Sequence, residues 1–315
     1  MNKSTRCVLF GVLLALPVLA LARPPLIYHK VATMPAHSDG AVRLVLGSSD
    51  VVVNIKTGNT VSVTTDIWAD ADSKDAKAKV VARYASTVSA SGDDVVVRSP
   101  RNHGWHFSWG ESPQTRVTVA MPMAMALNYR LGSGDFRFDN VGATTSIKGE
   151  SGSGDVFVNA ASKRLDVRAG SGDMQASIDN AAGSTTLHTG SGDIRFSGMT
   201  GGLNLDAGSG DITVNDAVAK SASITTGSGD IVVHWRKLAT GTTINGNAGS
   251  GDVVMYFPAD TVIGGRISTG SGDVDTDFPA TIHGSHHSYT LSGGAGAVQV
   301  DLDTGSGDAE LRKGG

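Results

Sequence analysis

The chain has 315 residues, of which 40% are hydrophobic and 18% charged, and its formal net charge is −4. This composition supports a buried core and excludes a wholly disordered chain, and so mild an acidity gives no reason to expect nucleic acid or an anionic membrane as a partner. The single cysteine is Cys7. Because no cysteine follows it, disulfides, thiol catalysis and cysteine metal sites are excluded for the rest of the chain.

The first 22 residues have the pattern of a secretory signal peptide. Lys3 and Arg6 precede an apolar run over 8–21, which ends in the small-residue sequence Ala-Leu-Ala. The run is too short to span a membrane comfortably, and no second run of about 18 apolar residues follows it. We expect cleavage after Ala22 and an exported protein without a membrane span. Because no sorting signal is visible before Gly315, a periplasmic location is preferred to the cell surface or the medium.

Residues 23–120 predict a strand-rich cap. The segment 42–55 contains a degenerate turn, Gly-Ser-Ser-Asp at 47–50, followed by three valines, and 61–67 alternates like a strand. Val117–Pro122 is the strand that leads into the region that follows. Between them, the alanine-rich stretch Asp72–Tyr84 predicts a short helix with its N-cap at Asp72 or Ser73. A cap of this kind would cover the hydrophobic end that any stack of repeats exposes.

An aromatic cluster and two histidine clusters lie in loop-forming sequence. Trp105, Phe107 and Trp109 alternate in a chain with only 5% aromatic residues. They either pack the cap onto the first repeats or form an exposed platform for sugar or protein, and this loop is our first candidate for ligand contact. The clusters at 103–106 and 283–287 lack the spacing of a metal site, so we interpret their histidines as polar loop residues.

Residues 121–315 are organised by the tetrapeptide Gly-Ser-Gly-Asp. It occurs nine times, at intervals of 20, 18, 20, 18, 19, 22, 21 and 35 residues. The motif aspartates are Asp135, Asp155, Asp173, Asp193, Asp211, Asp230, Asp252, Asp273 and Asp308.

Apolar and polar residues alternate on both sides of the motif, so each repeat reads as a short strand, a tight turn, a second short strand and a polar return. One repeat cannot bury its apolar side alone, and repeats must therefore stack at about 4.8 Å. The sequence predicts an all-β fold, a parallel β-helix or β-solenoid of about ten short coils. An antiparallel sandwich is the alternative, although it would not require one turn at a nearly constant period. The segment Val298–Asp303 falls in the long last interval and is expected to be an irregular terminal coil.

The combination of "VTVAMP" (117–122) with the repeated "LGSGDFRF" (131–138), "TGSGDIRF" (189–196) and "TGSGDIVV" (226–233) resembles the bacterial "putative adhesin" β-strand-repeat family of unknown function, related to the head-GIN domains. The resemblance implies an exported, right-handed β-helical protein without enzymatic activity. It brings no catalytic residues to this chain.

The motif aspartates have two interpretations. In the structural one, each carboxylate accepts backbone N–H groups within its own turn, which offsets the repulsion between neighbouring charges. In the other, they bind calcium, because the motif is similar to the Gly-Gly-x-Gly-x-Asp turns of calcium-binding β-rolls. The structural interpretation is preferred, since here Asp directly follows the second Gly and the period is about twenty residues. We expect no other cofactor or metal.

For function, the sequence favours a non-catalytic cell-envelope solenoid that contacts a protein or a glycan, as an adhesin-like binding or scaffold protein. The alternative is a carbohydrate-active β-helix enzyme acting on an acidic polysaccharide, which would need clustered carboxylates. The aspartates are instead dispersed one per coil, and the outward columns mix basic and acidic residues without a visible cluster, namely Arg130, Glu150, Arg168, Asp206 and Asp303. A second candidate contact is the outward column Phe157, Val232 and Val254. The ligand and the oligomeric state are not predicted.

Overall fold

The computed structural model describes residues 24–100, 113–283, 287–294 and 296–314. The expected signal peptide and the Trp105, Phe107 and Trp109 loop lie outside these ranges, so both stay predictions. Within the described part of the chain, no helix is long and apolar enough to cross a membrane.

The described residues form strands and one helix, α1 (Lys74–Tyr84). The first strands are β1 (Leu26–Pro35), β2 (Ala41–Leu46), β3 (Asp50–Ile55), β4 (Thr60–Trp68), β5 (Thr87–Ser91), β6 (Asp94–Arg98), β7 (Gln114–Met121), β8 (Ala126–Ser133) and β9 (Phe136–Asp139). The middle strands are β10 (Ile147–Ser153), β11 (Val156–Ala160), β12 (Arg164–Ser171), β13 (Met174–Ser191), β14 (Ile194–Ser209), β15 (Ile212–Val218), β16 (Ser221–Ser228) and β17 (Ile231–Trp235). The last strands are β18 (Thr243–Ser250), β19 (Val253–Pro258), β20 (Ile263–Ser271), β21 (Val274–Thr276), β22 (Ala280–Ile282), β23 (Ser288–Ser292), β24 (Val298–Ser306) and β25 (Ala309–Gly314).

Each Gly-Ser-Gly-Asp motif forms a corner between two strands, and each strand pairs in parallel and in register with the equivalent strand of the next coil. The predicted β-solenoid is therefore confirmed. We number the coils along the stack by their corner aspartates, which gives, from coil 1 to coil 10, Asp50, Asp135, Asp155, Asp173, Asp193, Asp211, Asp230, Asp252, Asp308 and Asp273. Coil 1 uses the degenerate corner Gly-Ser-Ser-Asp at 47–50.

The strand before each corner builds one flat surface, which we call the first face, and the strand after it builds the second face. Alternation along both strands sends every other side chain into the core, as in β24, whose Val300 and Leu302 are buried while Asp301 and Asp303 are exposed. The buried threonine before some corners, such as Thr226, donates its hydroxyl to a glycine carbonyl of the preceding coil. The core is thus a continuous apolar column along the stack axis.

Glycine replaces the expected apolar residue at several inward positions of the described strands, and at two of them, 149 and 246, a large side chain of a neighbouring coil fills the space. The ring of Tyr129 fills the space beside Gly149, where a Cβ would lie 2.0 Å from its Cζ. In the same way Leu302 fills the space beside Gly246, with its Cδ2 2.6 Å from where a Cβ would lie. Large and small residues are therefore matched between neighbouring coils.

The expectation for Val298–Asp303 was wrong. These residues belong to β24, and β24–β25 form the regular coil 9, which pairs on one side with β18–β19 and on the other with β20–β21. Coil 9 thus lies between coils 8 and 10, although it follows both in the chain. The reason is that all corners share one motif and one register, so the corner itself does not determine the position of a coil in the stack.

The N-terminal end shows the same reordering. Coil 1, made of β2 and β3, lies between coil 2 and the pair β6 and β7, which come later in the chain than coil 1. Strand β4 then adds antiparallel to β7, β1 adds antiparallel to β4, and β5 adds antiparallel to β6. These antiparallel strands, rather than the helix, extend the stack at this end.

Helix α1 begins where the sequence predicts. Its N-cap is Ser73, whose side chain accepts the backbone N–H of Ala76 at 3.1 Å. None of its residues is buried, so it contributes little to covering the core. The division into a cap (23–120) and a repeat region (121–315) stays a prediction, but the strand pairing shows that the two segments share one sheet.

Candidate binding surfaces

The corner aspartates form a hydrogen-bonded ladder along the stack. From coil 2 to coil 9, each carboxylate Oδ1 accepts the backbone N–H of the next coil's aspartate, at 2.8–3.0 Å. The prediction that these carboxylates bond within their own turns was wrong. The other N–H groups of each corner also donate along the stack axis, as Gly154 does to Ser171, so the bonding partners of a corner lie in the neighbouring coils.

The ladder requires glycine on both sides of the corner serine. In coil 6, Gly210 has φ 142°, and a Cβ there would lie 2.1 Å from the carbonyl oxygen of Gly192 in coil 5. The first glycine of the same corner, Gly208, would place a Cβ 2.6 Å from Gly190 O. Backbones therefore approach too closely for any side chain, which explains why the motif varies so little.

Few ion pairs compensate the ladder. Arg195 lies 2.9 Å from Asp193 and 3.5 Å from Asp173, and Arg116 lies 4.0 Å from Asp50, but the other corner aspartates make no ion pair within the described ranges. Among the residues described, no three His, Cys, Asp or Glu side chains are placed to hold a metal ion. Calcium binding at the corners stays an untested alternative, and the observed contacts give the aspartates a structural role in pairing coils.

The described histidines of the predicted clusters already have hydrogen-bond partners. His283 Nε2 lies 2.9 Å from Thr290 Oγ1, and His287 Nδ1 lies 2.7 Å from the carbonyl oxygen of Gly272. His103, His106 and His286 lie outside the described residues. His188 projects from the first face and contacts Asp206 at 2.9 Å, in agreement with the interpretation of these residues as surface polar groups.

The first face is divided by charge. Over coils 1–4 it carries five basic side chains against two acidic ones, whereas over coils 5–10 it carries three acidic side chains against one basic. The basic set is Arg43, Arg130, Lys148, Arg164 and Arg168, which we call the basic end. Within coils 5–10, coils 7 and 8 present only uncharged Ser, Thr and Asn side chains on this face.

Ion pairs neutralise part of the basic end. Arg43 bonds to Asp94 and Arg130 bonds to Glu150, while Arg164 reaches Asp166 at 3.2 Å. The other two cations, Lys148 and Arg168, make no ion pair or side-chain hydrogen bond within the described part of the chain. Two positive charges therefore remain available to a ligand.

A recess of about 350 Å³ opens on the basic end. Its lining includes Arg43, Asn128, Arg130, Lys148 and Glu150. Guanidinium, ammonium and amide donors around one concave site can bind carboxylate or sulfate groups. Sequence reasoning missed this site because its residues come from different coils, and only the register brings them together.

The second face carries a small apolar patch. Val232 and Val254 lie side by side on coils 7 and 8, and next to them the rings of His234 and Tyr256 stack at a centroid distance of 4.3 Å. The structure does not join Phe157 to this patch, since three coils separate it from Val232 and the Arg137 guanidinium lies over its ring at 4.2 Å. One of the three residues of the predicted outward column, Phe157, is therefore covered.

The stack of coils defines the chain as a β-solenoid protein with long, rigid outward faces. More narrowly, it belongs to the Toastrack DUF4097 family, whose sequence model matches residues 41–312. The relation to head-GIN domains stays a prediction. A search of curated proteins found no match to the chain.

Three solved structures match most of the chain. A "putative lipid binding protein" from Parabacteroides distasonis is 14% identical with a TM-score of 0.52, and covers 89% of this chain and 96% of its own. A "putative adhesin" from Bacteroides fragilis is 10% identical with a TM-score of 0.47, covering 90% and 97%. A "putative cell adhesion protein" from Clostridium sporogenes is 12% identical with a TM-score of 0.28, covering 91% and 100%. At these identities the likeness concerns the fold alone.

Proposed function

We propose that the protein is an exported, adhesin-like binding module of the cell envelope, without catalytic activity, that contacts an acidic glycan through the basic end of its first face. The observation that carries the proposal is the charge division of the first face, with the basic end on coils 1–4 and three acidic side chains against one basic on coils 5–10. Export rests on the signal-peptide pattern of residues 1–22.

The in-register pairing of the strands gives the basic end a fixed geometry. Side chains in one column repeat at about 4.8 Å because the strands pair in register, so Arg130, Glu150 and Arg168 stand in a row on three successive coils. The strands that carry this row are already ordered, so binding has to order only the side chains, which limits the entropy cost of association. A polymer with repeated anionic groups could contact several coils at once and gain affinity by multivalency.

The charge arrangement also selects the ligand and its orientation. An acidic polymer is attracted by the unpaired Lys148 and Arg168 and repelled by Asp301 and Asp303 at the other end of the same face. At physiological ionic strength these interactions are screened beyond about 8 Å, so binding depends on direct contact with the basic end. We expect retention on an acidic glycan to weaken as salt is raised.

The test is retention on an array of acidic and neutral glycans. Lys148→Gln combined with Arg168→Gln removes two positive charges and is expected to reduce retention on acidic glycans at least about tenfold, which corresponds to about 1.4 kcal/mol. The matched control is Thr225→Glu combined with Asn247→Glu, which changes the net charge by the same amount on the uncharged middle of that face. The control is expected to retain most of the binding.

Two results would contradict the proposal. Equal loss in the test and control variants would mean that only net charge matters. Release of new reducing ends from an acidic polysaccharide, measured with the same protein, would show catalysis and favour the enzyme alternative.

A further inference from the structure

Coil 9 occupies a slot that the rest of the chain leaves open. Strand β24 pairs with β18 and β20, and β25 pairs with β19 and β21. Without coil 9, coils 8 and 10 would face each other across a gap one coil wide, about 10 Å from strand to strand. Four unpaired strand edges would line the gap, and unpaired edges bind extended chain readily.

We propose that coil 9 is exchanged between two copies of the protein, so that residues 298–314 of each copy fill the slot of the other. The result is a domain-swapped dimer joined at its C-terminal coils. The partner is thus a second copy of this chain.

The contacts of coil 9 are the same whichever copy supplies it. Its apolar side chains Val300, Leu302 and Leu311 are buried against strands of coils 8 and 10. Asp308 donates its backbone N–H to Asp252 and accepts that of Asp273. Because these contacts are equal in the monomer and the dimer, their free energies cancel, and the balance depends on the connection and on protein concentration.

The connection is short and rich in glycine. Residues 293–297 join β23, which pairs with one edge of β20, to β24, which pairs with the other edge. The chain must therefore cross the start of β20, where the N–H of Gly293 donates to the carbonyl of Ile263 at 3.0 Å. A Cβ on Gly293 would lie 2.4 Å from that oxygen.

Extension of this connection would carry β24 away from its own slot. Five extended residues span about 17 Å, which exceeds the gap of about 10 Å that coil 9 fills between coils 8 and 10. Short connections of this kind favour exchange over closure.

The slot is selective for its own coil. In coil 9, a Cβ on Gly305 would lie 2.5 Å from Gly249 O and one on Gly307 would lie 2.2 Å from Gly251 O, so only a corner with the Gly-Ser-Gly backbone fits there. Leu302 also matches the glycine at position 246. These features favour residues 298–314 of a second copy over an unrelated strand.

The experiment uses single cysteines in the full chain, with Cys7→Ser as background. Val254→Cys is placed in one copy and Glu310→Cys in the other, because these outward residues pair in register between coils 8 and 9. Paired strand positions lie within the Cα separation that a disulfide tolerates. The two variants are mixed, unfolded, refolded together at rising concentration and oxidised.

The control is a mixture of Val232→Cys and Val254→Cys copies, which pair in register on the consecutive coils 7 and 8. We expect a covalent heterodimer for the test pair, in a fraction that rises with concentration, and none above background for the control. A second readout is the mass of the refolded Cys7→Ser protein by light scattering, which should include a dimer. Cross-linking no greater than in the control, with only monomer at every concentration, would overturn the proposal.

Discussion

Coils 2–8 and coils 9–10 use the same corner but differ in how the chain reaches them. Coils 2–8 follow one another along the sequence. Coil 9 instead comes after coil 10 in the chain but lies between coils 8 and 10 in the stack. Both regions carry the aspartate ladder with the same bond lengths. The comparison shows that the motif determines the local geometry of a coil and leaves its position in the stack to other features, namely connection length and the matching of large and small core residues.

The ends differ from the middle in a second way. Among the described strands, antiparallel pairing occurs only outside the in-order coils, with β4, β1 and β5 at one end and β23 and β22 at the other. In β1, the exposed Lys30 stands opposite Thr65 of β4. An exposed lysine on an outer strand discourages the addition of further strands, so β1 limits growth of the stack at this end.

The largest expected effect separates a corner glycine of the middle from a glycine of the C-terminal connection. Gly210→Ala should lower the free energy of unfolding by at least about 3 kcal/mol, because it combines a backbone clash with an unfavourable φ. Gly294→Ala should change it by less than about 0.5 kcal/mol, since no atom lies within 4 Å of the added Cβ. Urea denaturation followed by circular dichroism measures both, and equal effects would contradict the close approach of the coils.

The next effect tests the fit of coil 9 in its slot. Leu302→Ala should cost about 2–5 kcal/mol, as for other fully buried leucines. Gly246→Ala alone should also destabilise, yet in the Leu302→Ala background it should cost less, because the leucine no longer occupies the space. A double-mutant cycle with a coupling of at least about 0.5 kcal/mol supports the match. Additive effects would show that the two positions do not interact.

A third prediction compares the ladder in the middle with its last member. Asp193→Ala should cost about 1.5–3 kcal/mol, because the N–H of Asp211 loses a charged acceptor. Asp273→Ala should cost much less, since its carboxylate accepts no such bond among the described residues and coil 10 ends the ladder. Asp193→Asn is the control, as it keeps an oxygen acceptor without the charge. Similar losses for both alanine variants would count against the ladder as a source of stability.

A smaller effect should appear at the N-terminal end, where Asp94 joins β6 to coil 1. The backbone N–H of Ala41, at 2.8 Å, and then the Arg43 side chain hold the pKa of this carboxyl below its ordinary value of 3.8. A lowered pKa means that the carboxylate stabilises the folded state above about pH 3.8 and stops doing so as the pH falls through the lower, folded value. Asp94→Asn should therefore lower the melting temperature at pH 7, and the difference from the parent should shrink below pH 3.8. A difference that is independent of pH would exclude this role.

The smallest effect is expected from calcium. If the corner aspartates serve to pair coils, calcium and a chelator should leave the melting temperature of both regions unchanged within error. A rise of several degrees with calcium that is lost in Asp193→Asn would instead establish a metal site at the corners.

The sequence was sufficient to predict the corner, its two strands and an N-cap at Asp72 or Ser73, of which the structure has Ser73, because each depends on neighbouring residues. It was insufficient for the position of coil 9, since nine nearly identical corners can pair in any order. It also placed the aspartate bonds within the turn rather than along the stack, because the direction of a corner N–H depends on the next coil. The basic end escaped notice for a related reason, as Lys148 and Arg168 become neighbours only through strand register.

The position of coil 9 has a consequence for biosynthesis. Coils 8 and 10 leave the ribosome before the segment that belongs between them, so the order of synthesis is not the order of assembly. A product that stops short of Val298 would retain a gap in its core and four bare strand edges, which are targets for proteases and for aggregation. The stack can therefore be completed only after residues 298–314 have been synthesised, so a complete stack forms only when translation has passed this segment.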